Sequence, residues 1–164
     1  MEENTSVKGN NSDKDTSIFS TVVKFLQGNN LRFQEIRENE CLVLGVEVKN
    51  GRFTCSVIIR EEKKQMAFYS ICPINAPESK RQPVAEFITK ANYGMIIGNF
   101  ELDFKDGEIR YKTSIDVEGD RLTPALIKQL VFSNIAMMDQ YLPGIMSVIY
   151  GNVSPDEAIS QVED

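Results

Sequence analysis

The sequence contains no histidine. Ser-His-Asp and Cys-His nucleophile systems are therefore excluded, and the most common metal-binding side chain is missing. Histidine is also the side chain best suited to proton transfer near neutral pH. Any enzymatic activity would have to rely on carboxylates, and we predict no catalytic, cofactor-binding or metal-binding residue.

A phosphate-binding loop is also missing, because Gly94, Gly98 and Gly107 lack the GxGxxG spacing and no GK[ST] motif occurs. The net charge of −6 is confined to the two ends of the chain. Residues 1–16 carry −2 and residues 151–164 carry −4, which leaves 16 basic and 16 acidic residues between them. With no basic stripe to neutralise phosphates, the sequence argues against a nucleic-acid partner.

No apolar run approaches the roughly 20 residues that span a bilayer, so no membrane association is predicted. The N-terminus is polar from Glu2 onward and shows no apolar signal-peptide core. Cys41, Cys55 and Cys72 are odd in number and widely spaced in apolar segments, which is typical of reduced core cysteines. A reactive thiol at Cys41 or Cys72 is the alternative. These features predict a cytoplasmic protein.

Residues 1–16 contain only Met1 and Val7 as large apolar side chains. Such a segment cannot offset the entropy lost on ordering, and we expect a flexible polar tail. Residues 17–164 have the length and apolar content of one domain. The domain is expected to open with a helix over residues 18–26, with Asp15 or Thr16 as its N-cap and Gly28 at its end.

Residues 31–72 have the character of strands, and Asn50-Gly51 is a strong signal for a two-residue type I′ turn. This turn would pair Lys49 with Arg52. The same register places an apolar set on one face of the hairpin, with Val48–Phe53, Val46–Cys55, Leu44–Val57 and Leu42–Ile59 as its pairs. The opposite face is mixed, so the pattern predicts a sheet with one buried face.

The charged run NFELDFKDGEIRYK (99–112) contains a second turn signal at Asp106-Gly107. This turn predicts three ion pairs on the solvent face: Lys105–Glu108, Asp103–Arg110 and Glu101–Lys112. Phe100, Leu102 and Phe104 would line the buried face. A divalent cation held by Glu101 and Asp103 is the alternative, but each carboxylate already faces a cation. The run is therefore interpreted as scaffolding.

Helices are predicted around and after this hairpin. Ser79 with Gln82 forms a capping box, with Pro83 in the first turn of the helix. Thr123 and Pro124 begin a long apolar helix that Pro143 should kink or break. A final capping box at Ser154-Pro155-Asp156-Glu157 opens an acidic terminal helix. The predicted order is α-β-β-β-β-α-β-β-α-α, an α+β fold with an antiparallel sheet flanked by helices.

The apolar stripe of the long helix is wider than usual, which allows two interpretations. Its residues could simply be buried by the sheet of the same chain. They could also bind a partner or a second copy, since methionine suits adaptable interfaces. The predicted partner-binding residues are Met137, Met138, Tyr141 and Met146.

Three runs, NYGMIIGNFELDFKDGEIRYK (92–112), DQYLPGIMSVIYG (139–151) and SPDEAI (154–159), resemble the YbjN-domain family, particularly its cyanobacterial-type members. The resemblance covers roughly residues 16–162. It implies a twisted antiparallel sheet flanked by helices, as in class I type III secretion chaperones, with a tendency to form homodimers. Family members are described as sensory-transduction regulators, and the resemblance implies no catalytic residues.

The leading hypothesis is a non-enzymatic protein-interaction module, chaperone-like or regulatory, that binds an unidentified protein partner through its sheet or long helix. The alternative is a small-ligand sensor with a pocket between helix and sheet. A carboxylate-based metal hydrolase is the third hypothesis.

Overall fold

The computed structural model describes residues 16–164, so residues 1–15 of the expected tail lie outside the described residues. The elements in chain order are α1 (Ile18–Gly28), β1 (Gln34–Arg37), β2 (Cys41–Val48), β3 (Gly51–Arg60), β4 (Gln65–Ile71), α2 (Glu78–Asn92), β5 (Asn99–Leu102), β6 (Ile109–Asp116), α3 (Pro124–Tyr150) and α4 (Pro155–Glu163). A short 3-10 turn, Glu61–Lys63, joins β3 to β4. The predicted α+β class and element order are confirmed.

The six strands form one antiparallel sheet in the order β1-β2-β3-β4-β6-β5. Along β4 the side chains alternate between buried and half-buried, which is the period of a sheet with one covered face. Helix α3 lies on the covered face, where Asn134 donates to the carbonyl oxygens of Phe68 in β4 and Tyr111 in β6. One hydrophobic cluster within residues 16–164 extends from Ile18 to Ala158, and it supports the proposal of a single domain.

The register of the first hairpin differs from the prediction by two residues. Val48 pairs with Gly51, and the chain turns over Lys49 and Asn50. Gly51 belongs to β3 and is not among the described residues with positive φ, so the predicted type I′ turn at Asn50-Gly51 is wrong. A shift of two residues leaves every side chain on its predicted face, and Leu42 still lies opposite an apolar residue of β3, Val57.

A contact with α3 accounts for the altered turn. The Asn50 backbone N–H donates to Asp139 Oδ1 at 2.8 Å, and Asn50 Nδ2 donates to the Asp139 carbonyl oxygen at 2.9 Å. That carbonyl lies four residues before Pro143, which has no N–H to donate to it. Of the two predicted effects of Pro143, a kink or a break, the break is wrong, because α3 continues from Pro124 to Tyr150 with Pro143 inside it. Asn50 supplies the donor that the proline lacks.

The second hairpin also differs from its predicted register by two residues. Leu102 pairs with Ile109 and Phe100 with Tyr111, so residues 103–108 form a longer loop than the two-residue turn expected at Asp106-Gly107. Only Gly107 of that dipeptide has positive φ. A Cβ at Gly107 would lie 2.0 Å from the Ala76 carbonyl oxygen, so this glycine is required by close packing.

The ion pairs are rearranged as a result. Glu101 binds both Arg110, with 2.6 Å between Oε2 and Nε, and Lys112, with 2.5 Å between Oε1 and Nζ. The predicted pair Glu101–Lys112 is therefore present, but Arg110 contacts Glu101 and not Asp103. Phe100 is buried and Leu102 is half-buried, whereas Phe104 is 55% exposed and does not line the core.

Two helix starts differ from the sequence prediction. The N-cap of α1 is Ser17, whose hydroxyl accepts from the Ser20 N–H, and not Asp15 or Thr16. Helix α2 begins at Glu78 after Pro77, so Pro83 lies in its second turn and the predicted capping box at Ser79 does not form. The Pro77 carbonyl already accepts from the Lys80 N–H at 2.8 Å, so Pro77 is the N-cap and the helix starts two residues earlier than predicted.

The N-caps of two helices, α3 and α4, are the residues that the sequence predicted. Thr123 caps α3, with Pro124 as the first helical residue. Ser154 and Glu157 form a reciprocal capping box at the start of α4.

Candidate protein-binding surfaces

The most exposed apolar surface of the described chain is the loop between α2 and β5, residues 93–97, which we name the 93–97 loop. Tyr93 is 92% exposed, Ile96 is 94% exposed and Ile97 is 53% exposed. Single exposed apolar residues are common on protein surfaces, but adjacent ones indicate an interaction site.

Hydrogen bonds fasten the loop to the sheet at both ends. Asn92, the last residue of α2, accepts from the Phe100 N–H at 2.7 Å and donates to the Phe100 carbonyl oxygen at 3.1 Å. The Tyr111 hydroxyl donates to the Ile97 carbonyl oxygen. Gly98 then adopts a φ of 76°, and a Cβ there would lie 2.6 Å from the Lys112 carbonyl oxygen. The backbone on both sides of the exposed residues is thus held by the side chains of Asn92 and Tyr111 and by close packing at Gly98.

Tyr111, which holds the end of the 93–97 loop through its hydroxyl, is a residue of the hydrophobic core. Tyr111 is fully buried, and its ring meets Phe100 edge-on with 4.8 Å between centroids. Phe100 in turn meets Tyr141 of α3 at 5.4 Å. Burial raises the pKa of the Tyr111 hydroxyl, so the group stays protonated and continues to donate to the loop. The conformation of the loop therefore depends on the packing of the core.

Charged side chains near the loop are paired within the chain. Lys90, one turn before Tyr93, lies 2.9 Å from Asp156 and 3.7 Å from Glu86. The hydrogen bond from Lys90 to Asp156 raises the pKa of Lys90, so its ammonium group stays charged.

Glu101 of β5 is neutralised in the same way. Its partial burial favours a higher pKa, but hydrogen bonds from Lys112 and Arg110 outweigh this effect and hold the pKa of Glu101 below its ordinary value. The carboxylate is ionised and fully engaged by its two cationic partners. Within residues 16–164 no group of three or more acidic or cysteine side chains is arranged to hold a metal ion.

The residues predicted to bind a partner occupy different environments. Met138 is completely buried, and Tyr141 is 5% exposed with its hydroxyl 2.7 Å from Glu163 Oε1. Met137 and Met146 are half-buried and pack against the core. The structure therefore does not bring these four side chains together on one exposed surface.

The amino-acid sequence around the 93–97 loop contains a signal for this surface. Tyr93 follows the last residue of α2, and the run Met95-Ile96-Ile97 lies between two glycines with positive φ, Gly94 and Gly98. A short apolar run inside a glycine-bounded loop cannot be buried by helix or strand periodicity. Whether the side chains of this run point outward depends on the tertiary hydrogen bonds that Asn92 and Tyr111 make to the backbone beside it.

A second surface is the face of the sheet away from α3. Half-buried side chains of β3 and β4, including Ile58 and Tyr69, lie there among small residues. A shallow depression of about 340 Å³ is bordered by Tyr69, Arg60 and Lys112. Arg110 stacks on the Tyr69 ring with 4.2 Å from its Cζ to the ring centroid. This face is more polar than the 93–97 loop.

The three cysteines are free and buried. Burial raises the pKa of Cys55 and of Cys72 to about 11 in each case, so both stay as thiols near neutral pH. Among the helices within residues 16–164, none combines the length and apolar character of a membrane-spanning segment.

Comparison with known proteins assigns the family. Residues 19–146 match the YbjN family model, described as "Putative bacterial sensory transduction regulator". The chain belongs to the YbjN family. A search of curated proteins finds no match. The matched segment includes the 93–97 loop and ends before α4 begins.

Solved structures confirm the predicted chaperone-like fold of this YbjN-family chain. The crystal structure of YbjN from E. coli is similar with a TM-score of 0.57 at 15% identity, covering 83% of this chain and 94% of that one. The ExsC–ExsE complex is similar with a TM-score of 0.51 at 9% identity, covering 76% and 90%. The HopA1–SchA chaperone–effector complex gives 0.46 at 14% identity, covering 73% and 88%.

Proposed function

We propose that this YbjN-family chain is a non-enzymatic protein-interaction module, chaperone-like or regulatory, that binds a protein partner through the 93–97 loop. The observation that carries the proposal is the exposure of Tyr93 and Ile96, each above nine-tenths, on a loop fastened to the core. Tyrosine is enriched among the residues that dominate binding energy at protein interfaces.

The fixed conformation of the loop favours binding. Association usually costs the entropy of ordering side chains and loops at the interface. Here Asn92 and Tyr111 already hold the backbone on either side of the exposed residues. A partner therefore meets a preorganised apolar surface, and more of the burial energy remains as net affinity.

The fold neighbours support a protein as the partner. ExsC is seen in a complex with ExsE, and its fold is similar over 76% of this chain. This support is an analogy at the level of the fold, so the choice of the loop rests on this chain's own exposure pattern. The missing histidine and the engagement of Glu101 by two cations support a non-enzymatic role.

The proposal includes a cytoplasmic location, which the three buried free cysteines support, since a reducing compartment keeps thiols unpaired. It also includes one domain over residues 17–164, a flexible tail over residues 1–16 and no nucleic-acid or membrane partner. Membership of the cyanobacterial-type branch of the family stays a prediction.

The small-ligand alternative has one supporting observation. A depression of about 630 Å³ lies between α1 and the segment before α3, bordered by Phe25 and Leu122. Its volume falls in the range of ligand pockets, although it is not between helix and sheet as predicted. A thermal-shift screen in which no metabolite stabilises the chain would remove this alternative.

The test of the proposed function compares three purified chains in capture and binding experiments. These are the wild type, the Tyr93→Ser/Ile96→Ser double variant, and Ile36→Ser, which removes a 56% exposed isoleucine from β1 at the other edge of the sheet. Partners cross-linked in host extract are identified by mass spectrometry and then rebound as purified proteins. We expect wild type and Ile36→Ser to bind equally, and the double variant to lose at least about tenfold in affinity. Equal binding by the double variant would contradict the proposal.

A further inference from the structure

The shallow depression on the face of the sheet away from α3 has the features of a small-molecule site. Its volume of about 340 Å³ lies at the lower end of the range for ligand pockets. We infer that it binds a small organic carboxylate, with the carboxylate on Arg60 and a flat apolar body over Ala67. This site is separate from the 93–97 loop, so the inference goes beyond the proposed function.

The register of three neighbouring strands produces the depression. Ala67 of β4 lies between Ile58 of β3 and Ser114 of β6. Arg60 follows two residues after Ile58 on β3, and Tyr69 follows two residues after Ala67 on β4. Because side chains alternate along a strand, all of these point to the same face of the sheet. The methyl group of Ala67 is short and the side chains of Arg60, Ile58 and Tyr69 are long, which leaves a hollow over Ala67.

The floor and one wall of the depression are apolar and held in place. Ile58, Ala67 and Tyr69 border it and are half-buried. Arg110 stacks on the Tyr69 ring with 4.2 Å from its Cζ to the ring centroid, and Glu101 holds Arg110 with 2.6 Å between Oε2 and Nε. The aromatic wall is therefore fixed before a ligand arrives, and less side-chain entropy is lost on binding. A flat apolar group fits so shallow a floor.

Arg60 supplies the charge that selects an anion. None of the ion pairs within residues 16–164 includes Arg60. Lys112, the other cation at the border, is already bound to Glu101 with 2.5 Å between Nζ and Oε1. A guanidinium with no carboxylate partner in its own chain can bind a ligand carboxylate through two parallel hydrogen bonds.

Asp116, at the opposite side of the depression from Arg60, limits the charge of the ligand. Its carboxylate accepts from Gln65 Nε2 and from the Glu118 N–H, each at 2.9 Å. These hydrogen bonds hold the pKa of Asp116 below its ordinary value, so the group is ionised. A phosphate monoester carries about −1.5 to −2 near neutral pH and would be repelled more strongly than a carboxylate. The depression therefore matches a single negative charge.

Titrations followed by nuclear magnetic resonance test the inference with two probes of the same shape. 2-Naphthoate has a carboxylate on a flat apolar body, and 2-naphthamide is its neutral counterpart. A fragment of this size should bind with a Kd of about 1 mM and shift backbone signals of β3, β4 and β6. The amide should bind at least about tenfold more weakly, because it makes no charge-assisted bond with Arg60. Equal binding of the two probes, or shifts confined to other elements, overturns the inference.

Two matched arginine variants locate the site. Arg60→Gln removes the charge at the depression, and Arg52→Gln removes a guanidinium on the same face of β3 but outside the depression. We expect Arg60→Gln to lose about tenfold in affinity for naphthoate and to bind naphthamide as the wild type does. Arg52→Gln should match the wild type with both probes. Unchanged naphthoate binding by Arg60→Gln overturns the inference.

Filling the depression gives a second readout. Ala67→Leu places a larger side chain at its centre and should weaken both probes alike. Thermal melts without probe should agree for all of these chains, because Arg52 and Arg60 are exposed and Ala67 faces away from the core. An Ala67→Leu chain that melts with the wild type and binds naphthoate equally well overturns the inference.

Two further comparisons identify the head group and separate this site from the proposed function. 2-Naphthyl phosphate should bind more weakly than naphthoate, and tighter binding overturns the assignment to a carboxylate. The Tyr93→Ser/Ile96→Ser variant should bind naphthoate as the wild type does, because neither residue borders the depression. Loss of naphthoate binding in that variant overturns the inference of a separate site. The binding of a protein partner by the 93–97 loop is measured independently of these titrations.

Discussion

The two edges of the sheet are protected in different ways. Strand β1 has four exposed residues, charged side chains at Glu35 and Arg37, and a bulge between them in its pairing with β2. Strand β5 has a buried Phe100 whose outward backbone groups are bonded to Asn92 of α2. At β1, charged side chains and a bulge discourage the addition of another strand. At β5, the Asn92 side chain already bonds the outward N–H and C=O groups of Phe100, to which another strand would have to bond.

The two edges also differ in their exposed large apolar side chains: Ile36 is the one on β1, whereas Tyr93, Ile96 and Ile97 lie beside β5. Strand β1 is an edge strand that pairs only with β2 in the described sheet, so further exposed apolar side chains there would promote edge-to-edge aggregation. At β5 the backbone is already satisfied, so Tyr93 and Ile96 can be exposed without an open strand edge beside them. A partner that binds beside β5 would therefore contact the side chains of the 93–97 loop and would form no backbone hydrogen bonds with Phe100.

The largest expected effect comes from Gly98→Ala, at the closely packed glycine between the 93–97 loop and β5. Gly98 has a φ of 76°, and the new Cβ would lie 2.6 Å from the Lys112 carbonyl oxygen. The backbone of Gly98 or of Lys112 therefore has to move. We expect a loss of about 3 kcal/mol or more in the free energy of unfolding. Gly94→Ala is the matched control, because Gly94 has a φ of 87° with nothing within 4 Å. It should lose only about 1–2 kcal/mol in urea titrations. Equal losses would show that packing at Gly98 is unimportant.

A smaller effect should follow from opening the β5 edge with Asn92→Ala. The half-buried Phe100 N–H then lacks its partner, and we expect a loss of about 1–3 kcal/mol, measured by urea unfolding. The exposed edge should also make the variant aggregate faster at high protein concentration, followed by light scattering. Gln34→Ala at the β1 edge should change neither measurement. An Asn92→Ala chain as soluble and stable as wild type would contradict the proposed protection of β5.

The smallest effect should come from Tyr111→Phe, which keeps the ring and removes the hydroxyl bond to Ile97. We expect a loss of about 0.5–1.5 kcal/mol at neutral pH. Burial raises the pKa of Tyr111, so the unfolded chain releases this proton first and wild-type stability should fall as pH rises above about 10. Tyr111→Phe should lose this part of the pH dependence. Identical alkaline unfolding profiles for the two chains would exclude the buried hydroxyl as its source.

The sequence predicted the faces of the strands better than their turns. Alternation correctly placed Leu42, Leu44 and Phe53 on the buried face, because burial depends only on every second residue. Both hairpin registers were wrong by two residues. The turns contact other elements, since Asn50 bonds to Asp139 and Gly107 packs on Ala76. Local turn propensity contains no information about these partners.

The surfaces predicted to bind a partner were also difficult to identify from the sequence, because their exposure depends on tertiary packing. A wide apolar stripe on α3 is compatible with deep burial or with an interface, and periodicity alone cannot distinguish the two. For Met138 and Tyr141 the structure favours deep burial, because both side chains lie in the core. The exposure of Tyr93 and Ile96 instead depends on Asn92 and Tyr111, whose contacts join residues 8 to 14 positions apart.

The sequence by itself determined the class of the fold, the element order, two helix caps and the inward faces of the strands. These features depend on side-chain periodicity and on interactions between near neighbours in the chain. Only the tertiary structure decided the turn positions, the continuity of α3 through Pro143 and the exposure of the 93–97 loop. Each of these depends on a backbone group whose hydrogen-bond partner or packing neighbour comes from another element.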